Sequence, residues 1–118
     1  MTERRRFLRF ETALNALYEI VSEKFKAPSK VKNISKEGAL LILDKPMRED
    51  DEIYLSVDVP GDNIPIFASA RVAWQKGVDR NNTEYETGIK FTKINNLDKG
   101  RLLEYIYTQW LRILDKED

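Results

Sequence analysis

The sequence predicts a mainly β protein of one domain, with about six strands in a small barrel or sandwich and one α-helix at the C-terminus. The chain has 118 residues, of which 42% are apolar, enough to bury a single hydrophobic core. Six short runs of apolar or β-branched residues are separated by turn residues. After Asn95 the spacing of apolar residues changes to that of a helix.

The first half of the chain contains three predicted strands. The spacing of apolar residues over 10–21 fits the period of a helix as well as that of a strand, and we interpret this segment as one long strand. Two shorter runs, 30–34 and 38–43, are separated by residues 35–38, whose serine and glycine are typical turn residues. These two runs are therefore expected to pair as a hairpin.

The second half contains three more predicted strands. An acidic turn at residues 49–52 precedes residues 53–59, in which the odd-numbered positions are apolar and alternate with more polar ones. A turn at 60–63 then leads to predicted strands over 64–78 and 83–92. Six strands at this spacing are typical of a small barrel or sandwich.

A helix is predicted over residues 96–115, and Asn95 with Asp98 forms a weak capping signature at its start. Its apolar residues at steps of three and four predict one packed face, formed by Leu103, Ile106, Tyr107, Trp110, Leu111 and Leu114. Leu102, Tyr105 and Ile113 widen the apolar arc. The helix is therefore expected to plug an open end of the barrel, or also to meet a partner.

The composition excludes most catalytic chemistry. The chain has no cysteine and no histidine, so thiolate nucleophiles, serine–histidine–acid triads, zinc ribbons and histidine metal sites are excluded. The five glycines form neither a Walker loop nor a dinucleotide-binding fingerprint. The only carboxylate cluster, 49–52, is predicted to be a solvated turn. We expect a protein that is not an enzyme and holds no metal or cofactor.

The formal net charge is zero, but the charge is unevenly distributed. Residues 1–36 carry nine Lys/Arg and four Asp/Glu, whereas residues 37–118 carry eleven and sixteen. Four of the arginines lie within the first nine residues. Arginine presents a planar fork of donors that suits phosphate oxygens and guanine edges. A solvated basic tail is the simpler interpretation of this segment taken alone.

The N-terminus lacks the apolar core of a secretory signal, and the longest apolar run, residues 39–43, is too short to span a bilayer. We therefore expect a soluble cytoplasmic protein with no membrane insertion.

Four short motifs are informative together, although each is weak alone. They are Arg5-x-x-x-Arg9 preceded by Arg4, Asn33-x-Ser35-x-x-Gly38, Ala70-Arg71-Val72-Ala73-Trp74 and Gly88-Ile89-Lys90-Phe91. In this order, on a chain of about six strands and a final helix, they resemble the PilZ domain family over the whole chain. The resemblance implies a six-stranded antiparallel β-barrel with a C-terminal helix. It also implies a receptor for cyclic di-GMP, a bacterial second messenger.

The resemblance also implies roles for individual residues. Arg5 and Arg9 are expected to bind guanine edges and phosphates, and Arg4 to add charge or a stacking surface. In the turn, Asn33 and Ser35 are expected to meet guanine donors or phosphate oxygens. Gly38 is expected to let the backbone come close to the ligand. Taken simply as a hairpin-turn residue, it is expected to have a positive φ.

Roles are also expected for one residue in each of the two strand motifs. Trp74 is expected to stack on a base, the alternative being a tryptophan of the barrel core or rim. Gly88 is expected to be structural.

Many family members carry aspartate at the position of Asn33, and a neutral amide oxygen accepts a weaker hydrogen bond than a carboxylate does. Binding is therefore expected to be weakened but not lost.

The mechanism we expect is an ordering of residues 1–10, a flexible basic arm, against the single barrel domain of residues 11–118 when the nucleotide binds. An unidentified downstream effector protein would sense the change, through the acidic turn 49–52 or through Leu102, Tyr105 and Ile113. The alternative is a PilZ-fold interaction module that no longer binds the nucleotide. Binding of a nucleic-acid polymer is disfavoured, because residues 37–118 are net negative.

Overall fold

The computed structural model describes residues 10–78, 80, 81 and 83–116, and within these ranges the side chains from Leu14 to Arg112. Arg4, Arg5 and Arg9 lie outside the described residues. The elements are β1 (Phe10–Ile20), β2 (Phe25–Ile34), β3 (Gly38–Leu43), β4 (Glu52–Val57), β5 (Ile66–Gly77), β6 (Tyr85–Lys93) and α1 (Asn96–Lys116).

The six strands form a closed antiparallel barrel in the order β1-β2-β3-β6-β5-β4. Two of the pairings join strands that are distant in sequence. In one, β3 pairs with β6 from Gly38 opposite Lys90 to Leu43 opposite Tyr85. In the other, Ala16 to Ile20 of β1 pair with β4 and close the barrel. The predicted six-stranded antiparallel barrel with a C-terminal helix is confirmed.

The interior of the barrel is filled by alternate residues of each strand, because successive side chains of a strand point to opposite faces. In β4 the buried residues are Ile53, Leu55 and Val57, as their alternation with polar residues predicts. Tyr18 is almost fully buried and donates a hydrogen bond from its hydroxyl to Asp44 Oδ1 at 2.9 Å. Burial and the neighbouring Asp44 carboxylate raise the pKa of Tyr18 above its usual value.

Strand β2 begins at Phe25, five residues before the predicted start at residue 30. The additional segment contains Pro28, which has no backbone N–H to donate. Pro28 pairs with Leu17 of β1, whereas the pairing of β2 with β3 begins only at Lys30. Proline is tolerated there because this part of β2 has a neighbouring strand on one side only.

The face that the helix buries overlaps the predicted one only in part: Ile106 and Trp110 of the predicted face pack against the core, and three others do not. Leu102 and Ile106 are buried against the core, with Tyr105 and Trp110 partly buried beside them. Leu103, Tyr107 and Leu111, which were predicted to pack, are exposed. Leu102 was predicted to be part of a partner-binding surface, and this prediction is wrong because only 2% of its surface is accessible to solvent.

The start of α1 is fixed to the barrel by Asp98. Its backbone N–H donates to Asn95 Oδ1 at 2.8 Å, which forms the predicted cap. Its carboxylate is buried and accepts hydrogen bonds from the Phe67 backbone N–H at 3.2 Å and from Arg101 Nη1 at 3.0 Å. These bonds fix the rotation of the helix about its axis.

Arg101 extends this anchor to the loop between β4 and β5. Its guanidinium donates to Asp62 Oδ2 at 2.6 Å and to the Pro65 carbonyl at 3.2 Å, and it also bonds the Ile64 carbonyl. The hydrogen bond from Arg101 lowers the pKa of Asp62, and the same bond raises the pKa of Arg101. Helix, loop and strand are therefore held by one set of charge-assisted hydrogen bonds.

No helix in the described part of the chain is both long enough and apolar enough to cross a membrane.

Replacing Asp98 with alanine is expected to lower the free energy of unfolding by about 2–3 kcal/mol, because it leaves the Phe67 N–H without its side-chain acceptor and removes one of the acceptors of the Arg101 guanidinium. Urea unfolding followed by circular dichroism measures this change. Glu104→Ala, at an exposed position of the same helix, is the control and is expected to change stability by less than about 0.5 kcal/mol. Equal effects of the two substitutions would contradict the anchoring role of Asp98.

Candidate functional site

The turn between β2 and β3 is held by Ser35. This residue is only 1% exposed, and its hydroxyl accepts hydrogen bonds from the backbone N–H groups of Glu37 at 3.2 Å and Gly38 at 3.3 Å. The Ser35 N–H also donates to the Gly38 carbonyl at 2.9 Å. In this structure the serine predicted to meet the ligand bonds to its own turn, so it shapes the turn that follows Asn33.

Gly38 is required by a close approach of two strands. A Cβ built on Gly38 would lie 2.0 Å from the Ile89 carbonyl oxygen of β6, a distance that real Cβ atoms do not reach. Its φ is not positive, so the predicted left-handed conformation is wrong. Next to it, the Phe91 N–H donates to the Glu37 carbonyl at 2.8 Å. The turn therefore lies directly against the backbone of β6.

Gly88 has a related role beside Trp74. The two residues are opposite one another in the pairing of β5 with β6, and a Cβ on Gly88 would lie 2.3 Å from the indole Nε1. The indole therefore lies over the β6 backbone, and 46% of Trp74 is exposed. Trp74 is thus a surface residue with an accessible ring, and Gly88 has the structural role expected of it.

Asn33 and Trp74 lie in one row across four strands. Asn33 is opposite Leu40, Leu40 is opposite Gly88, and Gly88 is opposite Trp74. Register shifts occur in β2 between Val31 and Asn33 and in β5 just before Trp74. With strands about 4.8 Å apart, the path along the barrel wall from Asn33 to Trp74 crosses three spacings and is about 14 Å long.

The amide oxygen of Asn33 is buried and has no hydrogen-bond partner among the described residues. A buried acceptor without a donor destabilises the folded protein by about 1–3 kcal/mol. Unpaired groups of this kind require an explanation, and a ligand that donates to them is one.

A small pocket of about 190 Å³ lies between the turn and the indole; we call it the tryptophan pocket. It is lined by Glu37, Gly38, Ala39, Ala73, Trp74, Gly88, Ile89 and Lys90. Lys90 is exposed and opposite Arg71 in β5, and neither forms an ion pair with a described residue. These two cations were not among the residues predicted for the site, although strand alternation places Gly88 and Lys90 on one face of β6.

The predicted site residues that the structure describes are Asn33 in β2, Ser35 in the β2–β3 turn, Gly38 in β3 and Trp74 in β5. Strands β2 and β3 are neighbours, whereas β6 lies between β3 and the strand of Trp74. Among the described residues, no group of three or more acidic side chains is arranged to hold a metal ion.

Comparison with protein families identifies the fold family. The family model described as the PilZ domain matches residues 3–108. The chain belongs to the PilZ domain family. No curated protein sequence matches it.

Solved structures of PilZ proteins have the same fold at low sequence identity. The PilZ domain of YcgR from Escherichia coli, a structure with c-di-GMP, superposes with a TM-score of 0.72 at 16% identity, covering 98% of both chains. The Bacillus subtilis inhibitor of motility MotI/DgrA gives 0.78 at 18% identity, covering 94% of this chain and 53% of that one. The MrkH–c-di-GMP complex of K. pneumonia gives 0.69 at 18% identity, with 99% and 56% covered. This PilZ chain thus spans about half the length of the latter two.

Replacing Gly38 with alanine is expected to destabilise the PilZ barrel by about 1–3 kcal/mol, because the new methyl group and the Ile89 carbonyl cannot occupy the same space. Chemical denaturation measures the change. Gly100→Ala is the matched control, since a Cβ there meets nothing within 4 Å and alanine favours a helix by up to about 1 kcal/mol. A Gly38→Ala variant as stable as the wild type would rule out the close approach of β3 and β6.

Proposed function

We propose that this protein is a receptor for cyclic di-GMP that performs no chemistry on it and couples the level of this second messenger to a separate effector protein. One observation carries the proposal: the buried amide oxygen of Asn33, without a partner among the described residues, lies in the same cross-strand row as the exposed indole of Trp74. Related folds in the YcgR and MrkH structures have c-di-GMP bound, which supports the choice of ligand.

The ligand has groups that match this row. Each guanine carries N1–H and N2–H₂ donors, to which an amide oxygen can accept, and a flat ring that can stack on an indole. Rotation of the half-buried Asn33 side chain would turn its oxygen to the surface, and pairing with guanine would remove the cost of an unpaired acceptor. A stacking contact at Trp74 contributes about 1–3 kcal/mol per base.

The arginines supply the remaining contacts in this proposal. Phe10, the first residue of β1, is opposite Ile34, next to Asn33, so the chain joins the barrel beside the candidate site. Arg9 is covalently attached to Phe10, with Arg4 and Arg5 a few residues before it. We expect Arg5 and Arg9 to bind guanine edges and phosphates, and Arg4 to add charge or a stacking surface.

Regulation follows from the same contacts. Residues 1–10 form a basic arm in this proposal, joined to the barrel at Phe10 of β1, and residues 11–118 form the barrel domain with its helix. Without nucleotide the like charges of the arm repel one another, and with nucleotide they are neutralised, so the arm docks on the barrel. The effector then meets a changed surface in the cytoplasm, where we expect the receptor to act.

A second candidate function is an interaction module of the same fold that has lost nucleotide binding. Two observations favour it: Asn33 lacks the negative charge of an aspartate, and the Ser35 hydroxyl is engaged within its own turn. A titration with the nucleotide distinguishes the two functions.

Isothermal titration calorimetry with cyclic di-GMP is expected to give saturable heat at tens of micromolar ligand. Arg5→Ala and Arg9→Ala should each remove most of the binding, because each loses a forked contact with phosphate or guanine. Arg112→Ala, at an exposed position of α1, is the control and should bind like the wild type. No heat, together with no protection of residues 4–9 from hydrogen exchange, would favour the interaction module.

Asn33→Asp is expected to tighten binding by about fivefold, since a charged acceptor gains about 1 kcal/mol over a neutral one. The control is Asn63→Asp, which adds the same charge at an exposed position in the loop between β4 and β5 and should leave the affinity unchanged. Equal affinity of the Asn33→Asp variant and the wild type would remove Asn33 from the ligand contacts.

A further inference from the structure

A second pocket, of about 380 Å³, lies beside the tryptophan pocket. It is bounded by the β2–β3 turn, the last residues of β6 and the first turn of α1, and it is lined in part by four lysines, Lys36, Lys90, Lys93 and Lys99. We call it the lysine pocket. Its boundaries are held by backbone hydrogen bonds from the Phe91 N–H to the Glu37 carbonyl at 2.8 Å and from the Lys99 N–H to the Asn95 carbonyl at 2.9 Å.

The charge of this pocket is unbalanced. Glu37 is the one carboxylate among its lining residues. Lys90, Lys93 and Lys99 are exposed, and none of them forms an ion pair with a described residue. Lys90, Lys93 and Lys99 belong to residues 37–118, and Lys36 directly precedes that range. Because residues 37–118 are net negative, the positive charge at this pocket is a local concentration. The ammonium groups of Lys90, Lys93 and Lys99 around one pocket repel one another, and a bound anion offsets that repulsion.

We propose that the lysine pocket binds a phosphate group. The lysine ammonium is a compact point charge and a common phosphate ligand in proteins. The first turn of α1 adds partial positive charge to the same pocket. A volume of about 380 Å³ lies within the range of about 300–1,000 Å³ that is typical of small-ligand sites.

The phosphate has two possible sources with the same chemistry. The tryptophan pocket, at about 190 Å³, is smaller than typical small-ligand sites, and the two pockets share Glu37 and Lys90. A dinucleotide with a base against Trp74 can therefore extend along β6 and place a phosphodiester among the lysines, an arrangement that rests on the proposed function. The second source is a separate phosphate compound, which does not depend on the proposed function.

A titration of the full chain with inorganic pyrophosphate tests the site, followed by amide chemical shifts in ¹⁵N NMR spectra. We expect saturable shifts at residues 36–38 and 90–99 in the wild type and at least tenfold weaker binding in Lys93→Gln/Lys99→Gln. Both lysines are exposed, so this variant is expected to fold, which its thermal melt checks. The control, Lys24→Gln/Lys26→Gln, removes the same charge at the β1–β2 hairpin and should bind like the wild type. Pyrophosphate binding that is absent, or that the two double variants weaken equally, overturns the proposal.

A calorimetric titration of the same variants with cyclic di-GMP identifies the source. Loss of both ligands in Lys93→Gln/Lys99→Gln supports the phosphodiester of the dinucleotide. Loss of pyrophosphate alone supports a separate phosphate compound. If the wild type binds pyrophosphate through these lysines but gives no heat with cyclic di-GMP, the lysine pocket stands and the proposed receptor function fails.

Discussion

The contact between the β2–β3 turn and strand β6 is the constraint on which the candidate site depends. There is no space for a Cβ at Gly38 against the Ile89 carbonyl, and the Glu37 carbonyl accepts the Phe91 N–H directly. This contact brings the turn against β6, and the indole of Trp74 from β5 lies over the backbone of the same strand, so the tryptophan pocket forms between the turn and the indole. The same turn bounds the lysine pocket further along β6. Widening this contact would alter both pockets at once.

The strands could be predicted from the sequence because buried side chains alternate, as Ile53, Leu55 and Val57 do. The packed face of the helix could not be predicted fully from the sequence, because two adjacent stripes of apolar residues on α1 both have spacings of three and four residues. The buried face is selected by Asp98, whose carboxylate accepts from a strand residue 31 positions earlier in the chain. The early start of β2 also depends on the tertiary structure, because Pro28 is paired with β1 only and the pairing of β2 with β3 begins at Lys30.

The candidate site was predictable to the extent that residue type alone carries its chemistry. Asn33, Gly38 and Trp74 were found from their motifs, and the structure places them on β2, β3 and β5, which together with β6 form one continuous part of the barrel wall. The lysine pocket was not found, because its lysines come from a turn, a strand and a helix that local sequence does not relate. Totals of charge also conceal it: residues 37–118 are net negative, and yet they supply Lys90, Lys93 and Lys99 to one positive pocket.

The strand order divides the barrel into two three-stranded meanders, β1-β2-β3 and β4-β5-β6, joined at the seams β3–β6 and β1–β4. The tryptophan pocket lies across the β3–β6 seam, where residues 38–40 meet residues 88–90. Neither meander contains the pocket alone, so it exists only after the two halves have closed on one another. A ligand held there would bind the native state and not the unfolded chain, raising the free energy of unfolding by RT ln(1 + [L]/Kd). Such a ligand would stabilise the contact between the two halves of the barrel, and the backbone amides of the β3–β6 seam would exchange hydrogen with solvent more slowly in its presence.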